Sequence, residues 1–159
     1  MGGLGRLGVG ERAADFVLPG PAGGPARFYA HAGGRPTALV FGRRGDDRRL
    51  VDLACRLAGR NDVAVCCVTV GEPAGGTGMP MWWDQQGKVA AGYGVPAGEL
   101  TAVVLDPNLR VVGVVAGERL AEQVVELLDS VVHRVRRRRW WRRLRCCCCP
   151  APWTPTGTG

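Results

Sequence analysis

Short apolar blocks separated by glycine, proline and charge organise this chain, and the spacing inside each block predicts what it forms. The run Thr37 to Phe41 predicts a strand. After a polar turn, Leu50, Leu53, Ala54 and Leu57 recur at the spacing of one helix face. Asp46 or Asp47 can cap that helix by accepting a hydrogen bond from a free amide of its first turn, and Gly59 can close it in the left-handed conformation that costs glycine little. Val63 to Val70 is almost wholly apolar, which fits a strand buried on both faces in a mostly parallel sheet. Thr101 to Leu105 and Arg110 to Ala116 predict two more strands around Asp106-Pro107-Asn108, a turn in which Asp bonds its own backbone and Pro presets φ. From near Glu118, Leu120, Val124, Leu127, Leu128, Val131 and Val135 share one face of a closing helix.

Ahead of these blocks, Phe16 to Leu18 and Arg27 to Tyr29 are two short runs separated by Pro and Gly, a hairpin signal. A Gly- and Pro-rich loop, Gly71 to Pro80, follows the apolar strand and leads into Met81-Trp82-Trp83-Asp84. The length of 159 residues suits one domain that can bury its own core. The division expected is a domain over 1–134 and an irregular Arg-, Trp- and Cys-rich tail over 135–159.

Three stretches resemble the peroxiredoxin (redoxin) family, the alkyl hydroperoxide reductase and thiol-specific antioxidant group. Gly10, Ala13, Asp15, Phe16, Leu18 and Pro19 match its opening phrase. Asp84, Gly87, Tyr93, Gly94 and Val95 match a segment in which Asp-x-x-Gly starts a short helix ending at Tyr-Gly-Val. The final hairpin is the third anchor, so the resemblance covers about residues 10 to 134. With it, the element order is a βαβ unit, a short helix, a hairpin of strands and a closing helix. That implies an α/β, thioredoxin-like fold, a central mixed sheet flanked by helices.

The resemblance also implies a thiol peroxidase, and there the match breaks. In the family a strand ending in Phe leads through Pro and Thr to a peroxidatic Cys that opens a helix. Here Phe41 matches, while Arg43 stands for Pro, Asp47 for Thr and Leu50 for the nucleophile. Peroxide reduction needs a thiolate, its pKa lowered by the amides of a helix start and by nearby cations, and leucine cannot ionise. The family's Arg on the opposing strand, where related thioredoxins place a cis-proline, falls on Leu100. No catalytic, cofactor-binding or metal-binding residue is assigned on this basis. The expected role is a noncatalytic binding or accessory module with a degenerate peroxidatic site.

One alternative is a thiol-dependent antioxidant oxidoreductase with a relocated cysteine. Cys55 lies five residues after Leu50, a rotation of roughly 140° and an advance of about 7.5 Å along the helix. Cys66 and Cys67 alternate within the most apolar strand, and all three thiols read as small packing residues. His31 and His133 lack the companions and spacing of a metal site. The wording VLDPNLRVVG is also similar to the redoxin-like N-terminal domain of some bacterial prolyl-hydroxylase-type oxygenases, which use iron and 2-oxoglutarate. That implies a protein partner or a fused oxygenase domain.

Charge narrows the remaining partners. The formal net charge is +7, but eight arginines fall between Arg134 and Arg145, which leaves the rest of the chain at 7 − 8 = −1. Nucleic acid or membrane is therefore expected only through the tail, where Arg, Trp and adjacent cysteines could bind polyanions or carry acyl groups. Abundant Gly, Ala, Arg and Pro with no isoleucine indicate a gene rich in G and C, in which a change of reading frame can also yield such a tail. Arg43, Arg44, Arg48 and Arg49 surround a helix start, where amides and the helix dipole favour an anion, so an anion is a second candidate partner. Neither a secretory signal nor an apolar span of membrane length is present, and a cytoplasmic location with reduced body thiols is expected.

Overall fold

A computed structural model of the chain describes residues 7–42, 48–70, 80–96 and 98–147, with side chains through Trp140. Two short strands come first, β1 (Val17–Pro19) and β2 (Pro25–Arg27), paired antiparallel with Leu18 opposite Ala26. Gly20 makes their turn possible, since a Cβ there would lie 2.6 Å from that of Ala26. The predicted second strand, Arg27 to Tyr29, needs correction. Only Arg27 of it is extended, and helix α1 (Phe28–Ala32) begins at the next residue. The cause is local competition for amides: the Phe28 amide donates to the Phe16 carbonyl and the Tyr29 amide to the Asp15 carboxylate, both at 3.0 Å.

The central sheet holds β3 (Thr37–Gly42), β4 (Ala64–Val70), β5 (Met81–Asp84), β6 (Thr101–Leu105) and β7 (Val111–Ala116), in the order β5-β4-β3-β6-β7. β3, β4 and β5 are parallel, joined by the crossover helix α2 (Arg48–Leu57) between the first two, while β6 runs antiparallel to both its neighbours, β3 and β7. The strand β5 was not predicted. Its burial alternates, with Trp82 and Asp84 inward, and Trp82 opposite Val68 supplies a large apolar payload.

Two apolar layers cover the sheet. On one face, Ala38, Val40, Cys67, Ala102 and Val104 meet Leu50, Leu53 and Leu57 of α2 and Leu120, Val124 and Leu128 of α4 (Leu120–Cys147). On the other, Leu39, Phe41, Cys66, Val68 and Val103 meet Phe28 of α1, Trp82, and Ala90 of α3 (Lys88–Gly92) with Tyr93 beyond it. Each fully buried Leu or Phe contributes about 1.5–3 kcal/mol of transfer free energy. Gly59 closes α2 at φ 76°, in the left-handed region as predicted. The Arg60 guanidinium then straps α2 to α4, meeting Asp62 at 2.9 Å and Asp129 at 2.6 Å.

The closing helix does not stop near residue 134. α4 continues to Cys147, so residues 135–147 of the expected irregular tail are helical, and the rest of that tail lies outside the described residues. Arginine is a good helix former, and cations near a helix C-terminus complement its dipole. The proposed caps Asp46 and Asp47 and loop residues 71–79 also lie outside the described residues.

Candidate functional site

In an open α/β sheet, ligands bind outside the carboxyl ends of the parallel strands. The carboxyl ends of β3 and β4 here border a cleft of ≈ 120 Å³ lined by Phe41, Gly42, Val70, Gly87, Ala90, Val95, Pro96 and Glu99 among others. Glu99 is the titratable side chain among the described residues that line it. Beneath it the two key sequence positions converge in one apolar layer: Leu50 is 0% exposed and Leu100 4%, both packed with Leu53, Ala102 and Leu120. A Cβ on Gly42 would lie 3.0 Å from Leu100 Cδ1, so Leu100 fills the space a side chain on Gly42 would need.

The thiols are elsewhere. Cys66 and Cys67 point to opposite faces of β4, each fully buried in one of the two layers. Burial pushes the Cys66 thiol well up, with Cys67 adding to it, and pushes the Cys67 thiol up to about 12. Neither forms a thiolate at neutral pH, which removes the nucleophile. Cys55 corrects the packing expectation. It is exposed on the solvent side of α2, because the apolar face at Leu50, Leu53 and Leu57 leaves position 55 on the opposite side.

The other candidates separate in the same way. Arg48 is exposed, and Arg49 Nη1 donates to the Gly117 carbonyl at 3.2 Å, while Arg43 and Arg44 lie outside the described residues. His31 Nε2 lies 2.7 Å from the Val65 carbonyl oxygen and its ring meets Trp82 edge-on at 4.5 Å, a packed and bonded histidine. His133 is exposed on α4.

The matched signature residues are the ones sequence reasoning left without a role, and they hold the backbone together. Asp15 accepts hydrogen bonds from the Phe16 and Tyr29 amides at 3.0 Å and from Arg27. Asp84, buried, accepts the Ala90 amide at 3.0 Å and so satisfies the first turn of α3. The Tyr93 hydroxyl donates to the Ala14 carbonyl, and burial raises its pKa, with Tyr29, Cys66 and Asp15 adding to the shift. Phe16 stacks on Phe28 at 4.8 Å, which pins the leading segment to α1. The signal that could have found the role of Asp84 is an acidic residue six positions before a free helix-start amide, whereas Asp15 meets the Tyr29 amide fourteen residues on, which no local spacing marks.

Solved structures resemble this arrangement over most of the chain. The peroxidoxin BcpB of Mycobacterium tuberculosis superposes with a TM-score of 0.66 at 22% identity, covering 79% of this chain and 99% of its own. A yeast mitochondrial 1-Cys peroxiredoxin covers 95% of this chain and 84% of its own, with a TM-score of 0.62 and 15% identity. The exposed lipoprotein thioredoxin of Streptococcus pneumoniae covers 74% and 99%, with a TM-score of 0.58 and 20% identity. The chain has a thioredoxin fold. No protein-family model and no curated protein matches the sequence. Within the thioredoxin fold, Leu50 lies in the first turn of the helix after the first central strand, and Leu100 immediately precedes the antiparallel strand beside it. No helix among the described residues is long and apolar enough to cross a membrane.

Proposed function

We propose that this chain is a thioredoxin-fold, peroxiredoxin-like module whose peroxidatic site is degenerate and which acts as a noncatalytic binding or accessory unit. The observation that carries this reading is the burial of Leu50 and Leu100 in one apolar layer, at the two positions where the resemblance calls for a cysteine and an arginine. A leucine pair there supplies neither a nucleophile nor a cation to polarise a peroxide. Cys66 and Cys67 offer no substitute, since both are buried and held protonated. The cleft left at the strand ends is mostly apolar and open enough to receive a side chain of a protein partner.

Peroxide consumption with thioredoxin or a dithiol as reductant tests the reading. The expected result is no turnover above the reductant's own background. Turnover that Cys55→Ser or Cys66→Ser abolishes would overturn it.

One observation favours a second reading, a thiol oxidoreductase working from a relocated cysteine: Cys55 is exposed and so within reach of a disulfide or peroxide. It predicts that Cys55 reacts with an alkylating probe at neutral pH faster than an unstructured peptide thiol does. A rate no higher than that of a peptide thiol leaves Cys55 as an ordinary surface residue.

A further inference from the structure

The second half of α4 serves no purpose in the core. The buried residues of this helix, Leu120, Ala121, Val124, Leu128 and Val131, end at its twelfth position, yet the helix runs on to Cys147. Residues 136–140 are all exposed, and at about 1.5 Å per residue the stretch from 133 to 147, beyond the last core-packed residue Val132, is an arm of roughly 22 Å. Its charge is one-sided. The carboxylates of α4, Glu122, Glu126 and Asp129, lie in the first half, and from Ser130 to the end of the chain there is no acidic residue. Two of the three are engaged, Glu122 with Arg119 and Asp129 with Arg60. Asp62 is the body carboxylate whose titration feels an arm residue, Arg136, and its own hydrogen bonds go to Arg60.

The placement of the arginines is more telling than their number. With 100° between successive residues, Arg134 and Arg138 form one ridge along the helix, and Arg136 and Arg139 form another on nearly the opposite side. Like charges three and four residues apart repel, so the arm needs a counter-anion on two sides at once. A membrane surface presents its charge in one plane, and a helix lying on it wants a broad apolar face, which the four successive exposed arginines Arg136 to Arg139 deny it. The major groove of B-form DNA presents phosphates on both walls at a width of about 12 Å, and a helix with its side chains is about 10–12 Å across. At the root of the arm, Arg134, Arg138 and Arg139 also line a cleft of ≈ 310 Å³ against the Asp106 to Asn108 turn, where the Asp106 carboxylate accepts the Asn108 and Arg110 amides.

We propose that the C-terminal half of α4 is a rigid cationic arm that binds duplex DNA by placing its two arginine ridges against the two phosphate walls of the major groove. Binding is electrostatic and largely indifferent to base sequence, since the ridges are directed at phosphates, whose contacts carry no sequence information.

The test uses the full chain and a fluorescein-labelled duplex of twenty base pairs, with anisotropy followed from low to high NaCl. Six to eight phosphate contacts predict a slope of log affinity against log salt of roughly −5 to −7. Replacing Arg134, Arg136, Arg138 and Arg139 together by Gln should flatten that slope by about 3 to 4 and leave thermal unfolding of the body unchanged. Trp140→Pro keeps every charge but breaks the helix midway along the arm, and should weaken binding at least tenfold. Wild-type affinity in Trp140→Pro would overturn the rigid-arm geometry. Equal binding to an RNA duplex, whose major groove is too narrow for a helix, would overturn the groove placement. Tighter binding to phosphatidylglycerol vesicles than to the DNA would assign the arm to membranes and overturn the proposal altogether.

Discussion

Asp84 and Leu50 both stand beside the start of a helix on the sheet's carboxyl edge, and the chain uses the two positions in opposite ways. At α3 the carboxylate is buried and accepts the amide of Ala90, so a polar residue does architectural work. At α2 the third helical residue is apolar, and Leu50 turns into the layer between helix and sheet. The same division runs through the rest of the resemblance. Asp15, Tyr93 and Phe16 fasten the leading segment to the body. What the comparison teaches is that family likeness in this chain is carried by residues that satisfy backbone groups and fill layers. Those residues specify the fold and are silent about the reaction.

Breaking the two positions separately gives the largest contrasts. Leu50→Ala removes a fully buried side chain and should destabilise the fold by about 2–5 kcal/mol, read as a shift of the urea midpoint at unchanged slope. A loss below about 1 kcal/mol would mean that position 50 is not packed as described. Asp84→Ala leaves the buried Ala90 amide without its acceptor and should cost about 1–3 kcal/mol. Asp84→Asn, which keeps an acceptor oxygen, should recover much of that loss.

The buried thiols sharpen the contrast through pH. Cys67 is raised by burial to about 12 in the folded chain from an ordinary value of 9.0, so its neutral form is the one the fold favours. A raised folded value means stability that is intact below pH 9 and falls as the pH climbs toward 12, because the unfolded chain releases the proton first. Between pH 8 and 10 the loss due to Cys67 is roughly 1.4 kcal/mol, and Cys67→Ala should remove that share of the alkaline slope in urea titrations. Cys66 acts in the same direction. The smallest effect belongs to Cys55→Ser, expected within about 0.5 kcal/mol of the parent. Site-resolved alkylation followed by mass spectrometry should label Cys55 in the native chain and Cys66 and Cys67 only after unfolding.

Much of this fold is legible in the sequence itself. The run Thr37 to Phe41, the face formed by Leu50, Leu53 and Leu57, the apolar strand near Val63 to Val70 and the last two strands all stand within a residue or two of their predicted places. Each is marked by a local period or a continuous run, which side-chain burial on one or two faces imposes directly. Met81 to Asp84 was not read as a strand because four residues carry too short a period. It becomes one by pairing with β4, its Trp82 opposite Val68. Phe28 and Tyr29 looked extended by residue type, and the amides taken by Phe16 and Asp15 turn them into a helix start. Cys55 looked like packing by composition, and its helical phase relative to Leu53 and Leu57 puts it in water.

The sequence by itself determined the types of the longer periodic elements, the absence of an ionisable group at position 50 and the concentration of charge in residues 134–145. These depend on residue identity and near-neighbour spacing, which the chain carries wherever it is folded. Only the tertiary structure decided that Leu50 and Leu100, fifty positions apart, share one buried layer, that Asp15 and Asp84 spend their carboxylates on distant amides, and that the arginine run extends a helix anchored at Leu120. Such facts come from contacts between elements, where burial and hydrogen-bond satisfaction over long sequence separations choose among arrangements that local propensity leaves open.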